Sequence, residues 1–548
     1  MKATFKPLSL AVAVAAAGVA GTSNAQQMDL AAETGLGDLA LVPYYTVRED
    51  WTTGVSVINS SEKTQVIKIR MRRAVDSMDA LDFNVVLSPN DVWTGYAARA
   101  EELDASGERA IRWYSNDNSC TVPALTAGDT PFLEMPTIYR AGAETGYIEI
   151  LTMGETIDEG QPIARDALHA EAFGGLPANC PRVVENFLRG TTPIDYALDY
   201  ASLPSTIANT PRFTGVINSE LTMNATAAAP GYETSAFTES ENVIRVSYFI
   251  RDGASGTEFG NAATHIANFF NGASMTNQVQ GVAAGDLQGF DSPDLNGAAP
   301  FSADLSIGGD YGTFVFDTFR SIMGASQIVN DWSANDTGNF SVNTDWVVTA
   351  PGQYLMLDLP QYLASLASES VNCLPGTPGS PNVVTPTGAN CDFRDLPLTV
   401  SATVYSREED EIGVTPDEVV VSPAPIIPPE IVTFDREVNV VVWGVGDDGE
   451  PEAVINEDEA KAFPRPEGAL AGWANVTITP DASKARAICQ FDEAVPSIVI
   501  SCVPASTGVP LIGFVAWERN FDSDPSANFG RIVEHAFPDR GAVPPTTP

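Results

Sequence analysis

Between Leu81 and Gly95 the chain alternates with a period of two. Leu81, Phe83, Val85 and Leu87 fall on one side of an extended backbone, and Asp82, Asn84 and Ser88 on the other. Such alternation is how a strand buries one face. Ser88-Pro89-Asn90-Asp91 then supplies turn chemistry, because Pro presets φ and Asn and Asp bond their own backbone. Val92 to Tyr96 resumes a β-favouring run. The stretch reads as a hairpin on which the N-terminal half is built.

The same period predicts its neighbours. Leu39–Val47 is a strand that Pro43 restricts to an edge or a bulge. Trp51–Asn59 is the next, and in Thr64–Arg73 the apolar Ile67, Ile69 and Met71 alternate with Lys68, Arg70 and Arg72. These cations, with Arg73, suit an anion or partner site; the simpler reading is the solvated face of an amphipathic strand, paired with nearby carboxylates. Ala110–Ser115 and Gly146–Met153 continue the series, and connections this short favour antiparallel pairing. Ile163–Phe173 and Val183–Leu188 read as short helices, Asn261–Phe270 as an amphipathic helix, and Thr313–Phe319, Phe340–Thr349 and Gln353–Leu357 as β-like. Further strands are expected at Phe213–Asn218, Val243–Ile250, Leu398–Tyr405, Val438–Trp443, Ala474–Ile478, Ala485–Gln490, Ser497–Cys502 and Leu511–Trp517. The prolines of Pro423–Pro429 exclude a central strand there.

The expected fold is therefore mainly β: antiparallel Ig-like β-sandwich domains with short helices in the connections. The expected division is an N-terminal β-sandwich domain over 36–225, a central β-rich region over 235–372, a C-terminal β-rich domain over 392–535 and a disordered tail over 541–548.

Residues 1–25 stand outside this pattern. Lys2 and Lys6 precede a short apolar run of small residues, and Ser23-Asn24-Ala25 resembles a cleavage site, as in a secretory signal peptide. The run is too short to span a bilayer, and no later run reaches the ~18 apolar residues of a transmembrane helix. Without the leader the charge is 27 − 71 = −44, against −42 for the whole chain. A chain so acidic is a poor partner for nucleic acid or an anionic membrane. Adaptation to salty water is the simplest account of the charge.

All six cysteines follow the leader: Cys120, Cys180, Cys373, Cys391, Cys489 and Cys502. An even number in an exported chain reads as disulfides, and nearest-neighbour pairing joins 120–180, 373–391 and 489–502. Zinc is the alternative, but no C-x2-C pair is present. Calcium has weak candidates in two acidic loops, Asp291, Asp294 and Asn296 before Gly297, and Asp447 with Asp448. With Gly297 as the sixth loop position, Ala303 occupies the twelfth, where an acid is required, so the loops read more simply as solvated. His169, His265 and His535 lack any G-x-S-x-G or H-E-x-x-H frame, and His169 and His265 sit in helix-like contexts that suggest structural roles. Tyr44, Tyr45, Trp51, Trp93 and Trp113 can stack on sugars, although in strands they suit core packing better. With 71 acids, a pair of glycosidase carboxylates has no distinguishing mark.

The segments VPYYTV (Val42–Val47), LDFNVVLSPNDVWTG, LPANC (Leu176–Cys180) and NTDWVVTAP (Asn343–Pro351) occur in order. Together they resemble a family of exported, cell-surface-type hypothetical proteins of aquatic Gram-negative bacteria. The resemblance implies export and a surface, extracellular or periplasmic setting, and brings no catalytic residue. The function expected is structural or adhesive and non-enzymatic, with self-association or an envelope ligand as partner. An extracellular carbohydrate- or ligand-binding module, with calcium as its candidate cofactor, is the alternative, and a carboxylate-based glycosidase the third.

Overall fold

The computed structural model describes residues 28–75, 79–105, 107–135, 140, 142–189, 236–270, 273, 278–279, 295, 314–337, 340–356, 398–414, 433–434, 436–445, 451, 453–455, 460–481, 485, 488–491, 499–503, 508–521, 523–524 and 527–541. Strand dominates them, and the pairing is overwhelmingly antiparallel. No helix among them is long and apolar enough to cross a membrane.

A first sandwich is built from β1 (Leu39–Thr46), β2 (Trp51–Asn59), β3 (Gln65–Arg73), β4 (Asp79–Leu87), β5 (Val92–Leu103), β6 (Arg109–Tyr114), β7 (Cys120–Val122), β8 (Phe132–Glu134), β9 (Thr145–Thr156), β10 (Ile244–Asp252), β11 (Glu258–Ala262) and β12 (Thr264–Ala267). Its inner sheet runs β12-β1-β9-β3-β4-β7 and its outer sheet β11-β10-β2-β5-β6-β8. Phe83 of the inner sheet meets Trp93 and Trp113 of the outer one at ring-centroid distances of 5.9 and 5.4 Å. The expected hairpin is thus corrected. Its turn forms, with the Ser88 amide donating to Asp91 Oδ2 at 3.0 Å, but β4 and β5 enter opposite sheets and do not pair. The turn is an arch over the core edge.

Pro43 lies inside the inner sheet at a bulge. Pairing of β1 with β9 skips between Gly146 and Ile148, opposite the proline that lacks a ladder donor. Gly146 is required there, since a Cβ would lie 1.8 Å from the Arg72 carbonyl oxygen.

The second sandwich comprises β13 (Gln327–Thr337), β14 (Phe340–Thr349), β15 (Leu398–Ser406), β16 (Glu411–Val414), β17 (Val438–Trp443), β18 (Lys461–Phe463), β19 (Ala471–Pro480), β20 (Ile512–Phe521) and β21 (Phe529–Glu534). The order is β16-β15-β19-β13-β14-β17-β18, with β20 along the other edge of β14 and β21 beyond it. β13 turns the corner: Gln327–Ser333 pair with β19 and Ala334–Thr337 with β14. Trp332, Trp346 and Trp443 close the fold inside, the last two 5.0 Å apart. β17 and β18 pair in parallel. Of the stretch 235–372, β10–β12 therefore complete the first sandwich and β13–β14 open the second.

Several local expectations are corrected. Asn261–Phe270 supplies parts of β11 and β12, because pairing with β10 and β1 overrides its helical spacing. Thr313–Phe319 runs instead into α3 (Phe314–Met323), whose buried Phe316, Phe319 and Met323 recur at helical spacing. Gln353–Met356 is a 3-10 turn. Ile163–Phe173 breaks into α1 (Pro162–Ala167), a two-residue strand at His169–Ala170 and a 3-10 turn, and α2 spans Cys180–Phe187. Phe213–Asn218 and Pro423–Pro429 lie outside the described residues.

The two sandwiches share one apolar core running from Met28 to Trp517. Thr349 Oγ1 donates to the Pro43 carbonyl at 2.5 Å, and the Glu437 amide to that of Ala74 at 2.9 Å. The buried Glu437 carboxylate accepts from the Gln353 amide at 3.1 Å. Burial pushes this carboxyl up to about 8, while Arg72 pulls it the other way. A disulfide joins Cys120 on β7 to Cys180 on α2 across a separation of 60 residues. Cys489 and Cys502 lie opposite each other in an antiparallel pair; Cys373 and Cys391 lie outside the described residues.

Two outcomes follow. Replacing Cys120 and Cys180 together by Ala is expected to lower unfolding stability by about 4 kcal/mol, the loop-closure value for so long a loop, measured by denaturant titration. Glu437 titrates above its ordinary 4.5, so its contribution is complete below that value and lost as pH rises through about 8. The thermal midpoint is therefore expected to fall from mildly acidic to alkaline pH, and Glu437→Gln to flatten that fall. An unchanged slope in the variant excludes Glu437 as its source.

Candidate functional site

The calcium candidates Asp291, Asp294, Asn296, Asp447 and Asp448 all lie outside the described residues. The histidines are all described. His265, on β12 rather than a helix, is buried, pushed down to about 4 by burial, and accepts the Val246 amide at Nε2. His535 is buried and pushed down to about 3; it lies 3.0 Å from the Val347 carbonyl and 3.2 Å from Asn330 Nδ2. Both are neutral pegs between strands.

His169 does meet a hydroxyl and an acid. Its Nδ1 is 3.2 Å from Ser88 Oγ and 3.6 Å from Asp91 Oδ2. In a nucleophilic triad the acid orients one ring nitrogen and the other faces the nucleophile. Here a single nitrogen faces both, and Ser88 Oγ also bonds Asp91 at 3.2 Å. Ser119 Oγ adds a further bond to Asp91 at 3.3 Å. The cluster ties the 88–91 turn to the strand at His169–Ala170.

The basic strand is the largest correction. Lys68, Arg70 and Arg72 have no exposed surface. Arg72 Nε donates to Glu149 Oε1 at 2.8 Å, as does the Tyr147 hydroxyl at 2.9 Å. Arg70 lies 3.6 Å from Asp82 and 3.8 Å from Glu149, and Lys68 lies 3.7 Å from Asp82. The period-two alternation correctly separates two faces. It carries no sign of whether the polar face meets water or a second buried layer.

The aromatics named from sequence divide the same way. Tyr44, Tyr45, Trp93 and Trp113 are core, and Trp51 stacks on Phe259 at 6.3 Å. The aromatics that reach the surface are their neighbours of opposite parity. Because Trp93 and Ala97 point inward, Val92, Thr94 and Tyr96 point outward, and Tyr114 follows from Trp113 in the same manner. Register then aligns Phe249, Gly54, Tyr96, Tyr114 and Phe132 in one row across the outer sheet. The Tyr96 and Tyr114 rings stack at 5.1 Å, and Phe132 lies 5.8 Å beyond Tyr114. The Phe249 ring occupies the space above Gly54, where a Cβ would come within 2.3 Å of it.

Polar groups frame this row. Arg112 covers the Phe132 ring at 4.0 Å and donates to Glu134 at 2.9 Å and Glu102 at 2.5 Å. Arg245, Arg251 and Glu258 are exposed on the same sheet, beside Ser56, Ser247 and Thr94. Ile58 and Val92, a cross-strand pair, are 40 % and 49 % exposed. Three arginines thus stand with three glutamates, a locally balanced face on an acidic chain. The rings of Tyr96, Tyr114 and Phe132, one strand separation (~4.8 Å) apart, lie beside the register pair Arg112 and Glu134. Such a face can hold an extended molecule that has both C–H surfaces and hydroxyls.

Comparison of the chain with family models, with curated proteins and with solved structures finds no match.

Proposed function

We propose that this is an exported, non-enzymatic protein of the cell surface or extracellular space with an adhesive role, and that the outer sheet of its first sandwich grips a neutral polysaccharide. The observation that carries the reading is the in-register row of Phe249, Tyr96, Tyr114 and Phe132, framed by paired Arg and Glu side chains. A sugar chain laid across the strands meets one ring after another and offers hydroxyls to Arg112, Glu102 and Glu134. Charge disfavours an anionic chain: at −42 the protein repels an anionic glycan or a second copy of itself, and on the face itself the Arg–Glu pairing leaves no net charge to recognise. The leader-like residues 1–25 and the Cys120–Cys180 disulfide support export to an oxidising setting.

Native electrophoresis through gels containing dextran, laminarin or hydroxyethylcellulose tests this. At least one of them is expected to retard the protein. Tyr96→Ala with Tyr114→Ala is expected to weaken that retention by about tenfold or more, since two ring contacts of 0.5–1.5 kcal/mol are lost along with their area. The fold should survive, because the rings lie outside the core. Absence of retardation in all three gels, or equal retention by the double variant, overturns the proposal.

A further inference from the structure

Building on that reading, we infer a second polysaccharide-binding face on the second sandwich, centred on Tyr405 and Trp473, which makes the chain a divalent cross-linker. The two residues are register partners on β15 and β19, and their rings stack at 4.3 Å with planes 15° apart. Trp473 is 43 % exposed. The interior of this sheet is filled by Val400, Val404, Val476 and Ile478, and the indole stands on the other face, outside the core. The backbone nevertheless fixes it. Trp332 Nε1 donates to the Trp473 carbonyl at 3.3 Å, and Gly472 allows the Tyr405 carbonyl to approach where a Cβ would lie 1.7 Å away.

The rest of this face differs from an apolar docking surface. Tyr405 faces Glu411, its register partner on β16. Next along the strands come Thr403 opposite Asn475 and Ser401 opposite Thr477, all half-exposed. Short side chains that both donate and accept, beside a ring pair, match the alternating hydroxyls and C–H faces of a sugar chain. The acids Glu411 and Glu408–Asp410 repel an anionic ligand and a second copy alike. Two faces on different sheets, held by one core, allow one chain to engage two polysaccharide strands at once.

Light scattering on titrating the protein into dextran, laminarin and hydroxyethylcellulose reads cross-linking directly. Scattering with one of them is expected to rise and then fall as protein passes the equivalence ratio. Trp473→Ala should abolish scattering yet keep gel retardation through the first face, and Trp473→Phe should restore part of it. Scattering by Trp473→Ala equal to the parent, scattering of the parent without polysaccharide, or retardation without scattering each overturns divalency. Should Trp473→Ala lose all retardation while the Tyr96/Tyr114 variant keeps it, the first face fails and the second stands.

Discussion

Every position of β1, β3 and β9 is buried, and the rest of the molecule is arranged around that fact. A sheet covered on both faces cannot leave its polar side chains to water. Lys68, Arg70 and Arg72 therefore meet Asp82 and Glu149 on neighbouring strands. Leaving one member of such a set unpaired costs about 3–5 kcal/mol, so the network tolerates no partial assembly. It also fixes register. A slip of one residue would drive arginines into the space held by Ile67, Ile69 and Met71. The outer sheet and the β15–β19 sheet, by contrast, each carry one partly exposed face.

Strand positions were legible because period-two alternation depends only on local geometry. The arch at Ser88–Asp91 was read as a turn for sound reasons, with Asn90 taking the left-handed backbone expected of Asn. What the turn joins was not legible, since a turn between two sheets and a turn within one use the same residues. Phe314–Met323 failed for a different reason. Phe314, Phe316 and the following Thr mimic alternation over a few residues, and only the longer window shows that Phe316, Phe319 and Met323 share one helical face.

The surface residues were the least legible, although parity gave a way to them. Once Trp93 and Trp113 are assigned to the interior, Tyr96 and Tyr114 must face outward. Their alignment with Phe132 and Phe249 is a property of register across strands distant in sequence, and no window of sequence contains it. The same holds for Tyr405 and Trp473, which β16, β17 and β18 separate along the chain. A candidate binding face built across strands is thus written into the pairing pattern more than into any motif.

For the divalent binding proposed above, the shared core would matter in a physical sense. Two modules joined by a flexible linker lose orientational freedom when the second site engages, and that loss offsets part of the gain. Here Thr349 bonds Pro43 and Glu437 bonds Ala74 across the junction, with apolar packing continuous beneath them. The spacing of the two faces is set before any ligand arrives. A rigid spacing gives little help on a single coiled strand that fails to match it. It strongly favours a matrix in which many strands pass at many separations, and such a matrix is the setting in which a highly charged surface also keeps the protein apart from its own copies.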